Sequence, residues 1–246
     1  MTAKFFVIGG FFLAGANLVG ATGGSIVASF ASPHAAGVPR GMAYCPHHTR
    51  LYHVSNTTNV IYATNTDGSV VKSFACPSDT RDVEGGSHYF WTCTYSATGV
   101  IYRINTTGSI EKLFPAPSNA TGITLDATHL WVSSSTTNYI YRMTTDGSLV
   151  TSFAAPGQDT AGLDWDGVYL WLADAATEGS SVYQLTTTGS VLREFKAPAG
   201  RAYGVAFDGV YVWYSSMANP KYCYQMTTGG IPVETASFGK LKAFFK

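Results

Sequence analysis

GSIVASFASP from Gly24, GSVVKSFACP from Gly68, GSIEKLFPAP from Gly108, GSLVTSFAAP from Gly147 and GSVLREFKAP from Gly189 are five versions of one ten-residue phrase. Their starts lie 44, 40, 39 and 42 residues apart. Recurrence at that period marks an array of small supersecondary units, none of which can bury its own apolar faces. Two further series keep step with the phrase. One is Leu51-Tyr52, Phe90-Trp91, Leu130-Trp131, Leu170-Trp171 and Val212-Trp213; the other is Ile61-Tyr62, Ile101-Tyr102, Ile140-Tyr141, Val182-Tyr183 and Cys223-Tyr224. Aromatic and β-branched residues in short runs suit a pleated, half-buried surface.

Each unit is predicted to hold four strands. The first surrounds the glycine of GMAY (Gly41), GITL (Gly122), GLDW (Gly162) or GVAF (Gly204). Asp166-Gly167 and Asp208-Gly209 follow as tight hairpin turns, which require positive φ. The second strand carries the Trp and the third the Tyr, and a Thr-Thr-Gly or Thr-Asp-Gly turn leads into the fourth with its Phe. The proline after it cannot continue a ladder and ends the unit. An isolated sheet of this kind leaves both faces wet, whereas a radial arrangement covers each face with a neighbour. The expected fold class is all-β, a five-bladed β-propeller of four-stranded antiparallel blades.

The unit from Gly204 lacks a matching fourth strand, because the stretch after Gly229 breaks the phrase with Pro232 and a displaced Phe238. The orphan fourth strand stands at the other end, Gly24 to Pro33. The last blade is therefore expected to be closed by the N-terminal strand. Residues 22–230 form the propeller and 231–246 a C-terminal tail. Residues 1–21 are expected to be a signal peptide or an apolar N-terminal arm: Lys4, an apolar run from Phe5, and a Val-x-Ala ending at Ala21. The expected location is secreted, extracellular or cell-surface, with membrane contact only through residues 5–21 if they stay attached.

Charged residues are 12% of the chain, and 15 basic side chains balance 15 acidic ones. No basic face is on offer for phosphates, so nucleic acid is excluded as a partner. Sparse, balanced charge favours association with copies of the chain itself or with other cell-surface components. The four cysteines, Cys45, Cys76, Cys93 and Cys223, have no CxxC spacing. They fit buried small hydrophobes or a disulfide, for which repeat position selects Cys76 and Cys93.

No G-x-S-x-G elbow, Walker loop or H-E-x-x-H is present. His47-His48 lacks partners at zinc-site spacing, so no metal ligands, cofactor or catalytic residues are expected. Asp126, Asp164, Asp166, Asp174 and Asp208 fall mostly at turns, where aspartate accepts local backbone hydrogen bonds. The periodic Trp series reads as core between blades, with sugar-stacking platforms as the alternative. Tyr95, Tyr203, Tyr214 and Tyr222 fall outside the repeat grammar and are the candidate binding residues.

GLDWDGVYLWLAD (Gly162 to Asp174) followed by VYQLTTTGSVLREFKAP resembles the repeat of bacterial secreted propellers of the NHL-like and glutamine-cyclotransferase-like groups. The resemblance covers nearly all of the chain after Thr22. It implies architecture more than function, because propellers host many activities. Glutaminyl cyclases of the propeller type would place an acidic residue just before the innermost strand's glycine. Arg40, Thr121, Ala161 and Tyr203 stand there instead, and Asp82 takes the place of the glycine in the second unit. The expectation is thus a non-catalytic structural or interaction module that assembles with itself. A glycan-binding lectin-like propeller and a funnel-site enzyme of glutaminyl-cyclase type are the alternatives.

Overall fold

The computed structural model describes residues 23–34, 36–218 and 220–229. The expected export segment, 1–21, and the tail, 231–246, lie outside them. All regular elements among the described residues are strands. The N-terminal strand is β1 (Ile26–Ala31). Blade 1 follows as β2 (Pro39–Cys45), β3 (Arg50–Ser55), β4 (Val60–Thr64) and β5 (Val70–Ala75). Blade 2 is β6 (Thr80–Gly85), β7 (Tyr89–Thr94), β8 (Val100–Asn105) and β9 (Ile110–Pro115). Blade 3 is β10 (Ala120–Leu125), β11 (His129–Ser134), β12 (Tyr139–Thr144) and β13 (Leu149–Ala154). Blade 4 is β14 (Thr160–Trp165), β15 (Leu170–Asp174), β16 (Ser181–Leu185) and β17 (Val191–Lys196). Blade 5 opens with β18 (Ala202–Phe207), β19 (Val212–Ser216) and β20 (Tyr222–Met226).

Every sheet is a four-stranded antiparallel meander, and blade 5 is completed by β1 in the order β18, β19, β20, β1. The closing ladder pairs Ile26 with Met226 and Ala31 with Tyr222. The expected five-bladed ring and its N-terminal closure are both present.

Burial falls from the axis outwards. The innermost strands are almost wholly buried, whereas the outermost ones expose most of their side chains, Val70, Val71, Leu149 and Val150 among them. Between blades lie separate apolar clusters. The seam joining blade 5 to blade 1 packs Phe30, Trp213 and Cys223 against Met42 and Leu51. The Trp series behaves as core: Trp91, Trp131, Trp171 and Trp213 are all buried. None of these four indole faces is free to stack on a sugar.

The ten-residue phrase owes its first glycine to two demands at once. Gly68, Gly147 and Gly189 adopt φ of 88°, 89° and 89°, which L side chains resist. A Cβ there would also lie 2.6–2.7 Å from the ring of Phe30, Phe114 or Phe153 in the preceding blade. Glycine of one phrase therefore receives phenylalanine of the previous one, so the repeat records a blade-to-blade interlock.

The glycines of the innermost strands serve another purpose. A Cβ on Gly162 would come within 2.8 Å of the Tyr203 carbonyl, and one on Gly122 or Gly204 would collide with the neighbouring inner strand. Four glycines let the inner strands converge, and Asp82 stands at the corresponding place in blade 2. Its carboxyl fills the space beside Gly41. One oxygen accepts the N–H groups of Met42 (3.1 Å) and Val83 (2.9 Å); the other accepts those of Ile123 (3.0 Å) and Leu163 (3.1 Å). One side chain thus gathers backbone donors from four blades. Burial pushes this carboxyl well above the usual carboxylate range, against the pull of the N–H bonds from Ile123, Leu163 and Val83.

Candidate functional site

The residue preceding each inner-strand glycine, or Asp82, is the first to clear the crowded axis. Those five positions are Arg40, Arg81, Thr121, Ala161 and Tyr203. Together with Tyr95, Ser135, Asp159 and Thr160 they line an open cavity of about 320 Å³ at the mouth of the funnel. All five blades contribute. The volume sits at the lower end of the range for small-molecule sites.

The walls are held by cation–ring contacts. The Arg40 guanidinium lies 4.5 Å from the centre of the Tyr203 ring, and Arg201 approaches the same ring at 5.2 Å. Arg81 lies 4.3 Å from the centre of the Tyr95 ring. Such contacts fix a flexible cation over an aromatic face. Asp159 is bound by Arg201 at 2.8 Å, and Arg81 meets Asp79 at 3.1 Å. Arg40 enters no ion pair among the described residues. Burial and then the neighbouring Arg81 charge lower its affinity for its proton, while the Tyr203 phenol and, more weakly, Asp159 act in the opposite sense.

Two of the four tyrosines expected to bind are in this mouth, namely Tyr95 and Tyr203. The other two are not. Tyr214 is fully buried within blade 5, where its hydroxyl bonds the Ala199 carbonyl (3.2 Å) and its ring stacks on Tyr224. Tyr222 stacks on the other neighbour of that row, also Tyr224, along the blade surface. Both fall outside the repeat grammar, yet β19 and β20 run through them.

The expected Cys76–Cys93 disulfide is likewise absent, since all four cysteines are free and buried. Cys76 packs into the cluster between blades 1 and 2, whereas Cys93 faces the one between blades 2 and 3. Strand alternation explains the separation. Phe90 of β7 faces blade 1, and Cys93, an odd number of residues on, points the opposite way.

Ser135, Asp159 and Thr160 come from loops and strand starts outside the ten-residue phrase, and only Asp159-Thr160 has a counterpart there, Asp79-Thr80. The five ring positions could have been found by reading one column down the aligned units. No group of three or more His, Cys, Asp or Glu able to hold a metal occurs among the described residues. The turn aspartates act as expected. Asp126, Asp166 and Asp208 each accept backbone N–H groups locally and the indole N–H of the Trp five residues on, at 3.0, 2.9 and 2.7 Å.

These features define the class as a five-bladed β-propeller with a polar, arginine-bearing axial mouth. No family model matches the chain, and no curated protein does. Solved structures do. A glutaminyl cyclase of Myxococcus xanthus superposes with a TM-score of 0.67 over 82% of this chain and 94% of its own, at 10% identity. A virginiamycin B lyase of Staphylococcus aureus matches 80% of this chain and 67% of its own, at 23% identity and a TM-score of 0.50. A PQQ-bound aldose sugar dehydrogenase of Streptomyces coelicolor matches 82% and 97%, at 10% identity and a TM-score of 0.53.

Identities this low show the fold. All three names are nevertheless those of enzymes, which overturns the reading of the chain as a non-enzyme. That reading rested on the absence of contiguous motifs. A funnel site gathers single residues from several blades, so no contiguous motif would display it.

Proposed function

We infer that the protein is a funnel-site enzyme acting on a small molecule held in the axial mouth. The observation that carries this reading is the cavity of about 320 Å³ to which all five blades contribute polar or aromatic side chains. Asp159 is the one carboxylate among its lining residues, and the hydroxyls of Tyr95 and Tyr203 stand with it. A carboxylate and two phenols lining one cavity supply the parts needed for proton transfer. The mouth also departs from the glutaminyl-cyclase expectation. None of the five ring positions is acidic; the carboxylate that lines the mouth, Asp159, stands two residues ahead of Ala161. Cyclisation of an N-terminal glutaminyl peptide with loss of ammonia is the specific reaction to assay first.

Ala161 lines the mouth and also belongs to the apolar cluster between blades 4 and 5, so Ala161→Trp fills the mouth and its thermal unfolding is measured alongside to confirm an intact ring. Saturation-transfer NMR with a metabolite mixture should show ligands bound by the wild type and lost in this variant. Asp159→Asn should bind them and fail to convert them. Ligands that persist in Ala161→Trp, or are absent from the wild type, would refute the reading.

Export and self-association belong to the same proposal. The apolar run in residues 5–21 supports export, which fractionation of an expressing culture tests. Balanced charge and exposed pairs on outer strands, such as Leu149 with Val150 and Val191 with Leu192, support self-association. Light scattering across a concentration series tests it, and a monomer throughout would exclude it.

A further inference from the structure

We propose that the axial mouth recognises a small oxyanion, a carboxylate or a phosphate, through Arg40 and Arg81; this rests on the mouth being the working site. The mouth is cationic in a chain that is otherwise sparsely and evenly charged. Arg40, Arg81 and Arg201 face Asp79 and Asp159, and the two carboxylates are taken up by Arg81 and Arg201. Arg40 is left without an ionic partner among the described residues. The Nε atoms of both Arg40 and Arg81 are buried with no hydrogen-bond acceptor. Burying a guanidinium away from water is costly unless a negative group meets it. Arg40 also hydrogen-bonds the Tyr203 phenol, yet each guanidinium keeps an Nε–H without an acceptor, and two such groups from adjacent blades at the same ring position match the fork that binds oxyanions bidentately.

The acid beneath the mouth does not fill this role. Both Asp82 oxygens are occupied by backbone N–H groups of four blades. The Tyr203 and Tyr95 rings hold the two guanidiniums in place beforehand, which reduces the entropy lost when an anion arrives.

The test uses ¹⁵N-labelled full chain in buffered 0.15 M sodium chloride, titrated separately with malonate, inorganic phosphate and neutral malonamide. The amides of Thr121 and Ala161 are followed. Malonate or phosphate should shift both with saturation, and the tighter of the two identifies the anion class. Arg40→Gln should weaken that binding at least tenfold, and Lys72→Gln, on an exposed outer strand, should leave it unchanged. Arg40→Lys, which keeps charge and loses the fork, should fall between. Saturation by malonamide but by neither anion would overturn the oxyanion assignment while leaving the mouth as a site. Equal anion binding by Arg40→Gln would also overturn it. Were no probe to shift these amides, and were the metabolite mixture to fail as well, both readings would fall together.

Discussion

Blade 2 shows what one residue can withhold. In blades 3, 4 and 5 an aspartate five residues before the Trp accepts its indole N–H, but Gly86 occupies that place before Trp91. The Trp91 Nε1 is accordingly buried without a hydrogen-bond partner. Arg103 lies opposite Trp91 as Arg142 lies opposite Trp131, and Arg142 bonds Asp126 at 3.2 Å. Gly86→Asp should therefore regain an indole bond and stand beside Arg103, which is paired with Glu111 at 3.3 Å. The added Cβ would sit 3.0 Å from the Tyr89 carbonyl, so a small local shift is needed. The expected gain is about 1 kcal/mol, a rise of about 2–4 °C in Tm for a domain of this size. Thermal unfolding followed by tryptophan fluorescence measures it, and an unchanged or lower Tm would show that the shift outweighs the bond.

At the scale of elements, the seam made by β1, β20 and β3 carries a pH dependence. His53 is buried, with Nε2 at 2.8 Å from the Thr64 hydroxyl and Nδ1 at 3.7 Å from the Cys223 thiol. Phe30 of β1 meets it edge-on at 5.8 Å. His34, just after β1, is buried against Tyr62 and within 3.2 Å of the Thr58 hydroxyl. Burial lowers the His53 pKa to about 3 and that of His34 to about 4. Unfolded histidine takes up a proton near pH 6.5, so below that value the unfolded chain binds more protons than the folded one. The stabilisation is complete above about pH 6.5 and is lost as pH falls towards 4 and then 3. Stability should drop on the order of 3 kcal/mol between pH 7 and pH 4.5. Denaturant unfolding at the two values checks this, and His34→Gln should show a smaller drop. An equal drop in the variant would assign the effect to other groups.

For the whole molecule, Asp82 is the side chain on which most blades depend. Asn in its place offers one acceptor oxygen and turns an N–H group towards backbone donors. Asp82→Asn should cost about 2–4 kcal/mol, from donors left unpaired in a dry interior. Urea midpoints measure the loss. A midpoint equal to the wild type's would mean that the ring closes without this junction.

Repetition made the architecture legible. Five phrases, in-phase aromatic series and an orphan strand specified blade number, strand number and closure, because blade packing imposes the same demand five times. Tyr95 and Tyr203 break that grammar and line the mouth. Tyr214 and Tyr222 break it too, yet they are packed within blade 5, so departure from the repeat does not by itself indicate exposure. Arg40 and Arg81 occupy ring positions where the cyclase resemblance implies an acid, so a column scanned for carboxylates carries cations instead. Asp159-Thr160 recurs only once, as Asp79-Thr80 ahead of Arg81, and a pair found in two blades of five is a weak signal.

The closing ladder sets Ile26 opposite Met226 at one end and Ala31 opposite Tyr222 at the other. Tension applied between the two ends of the chain would thus fall on the Ile26–Met226 rung first and peel the strands apart like a zipper, instead of straining every rung in shear. A ring held by packed seams would, by this geometry, yield readily to a pull.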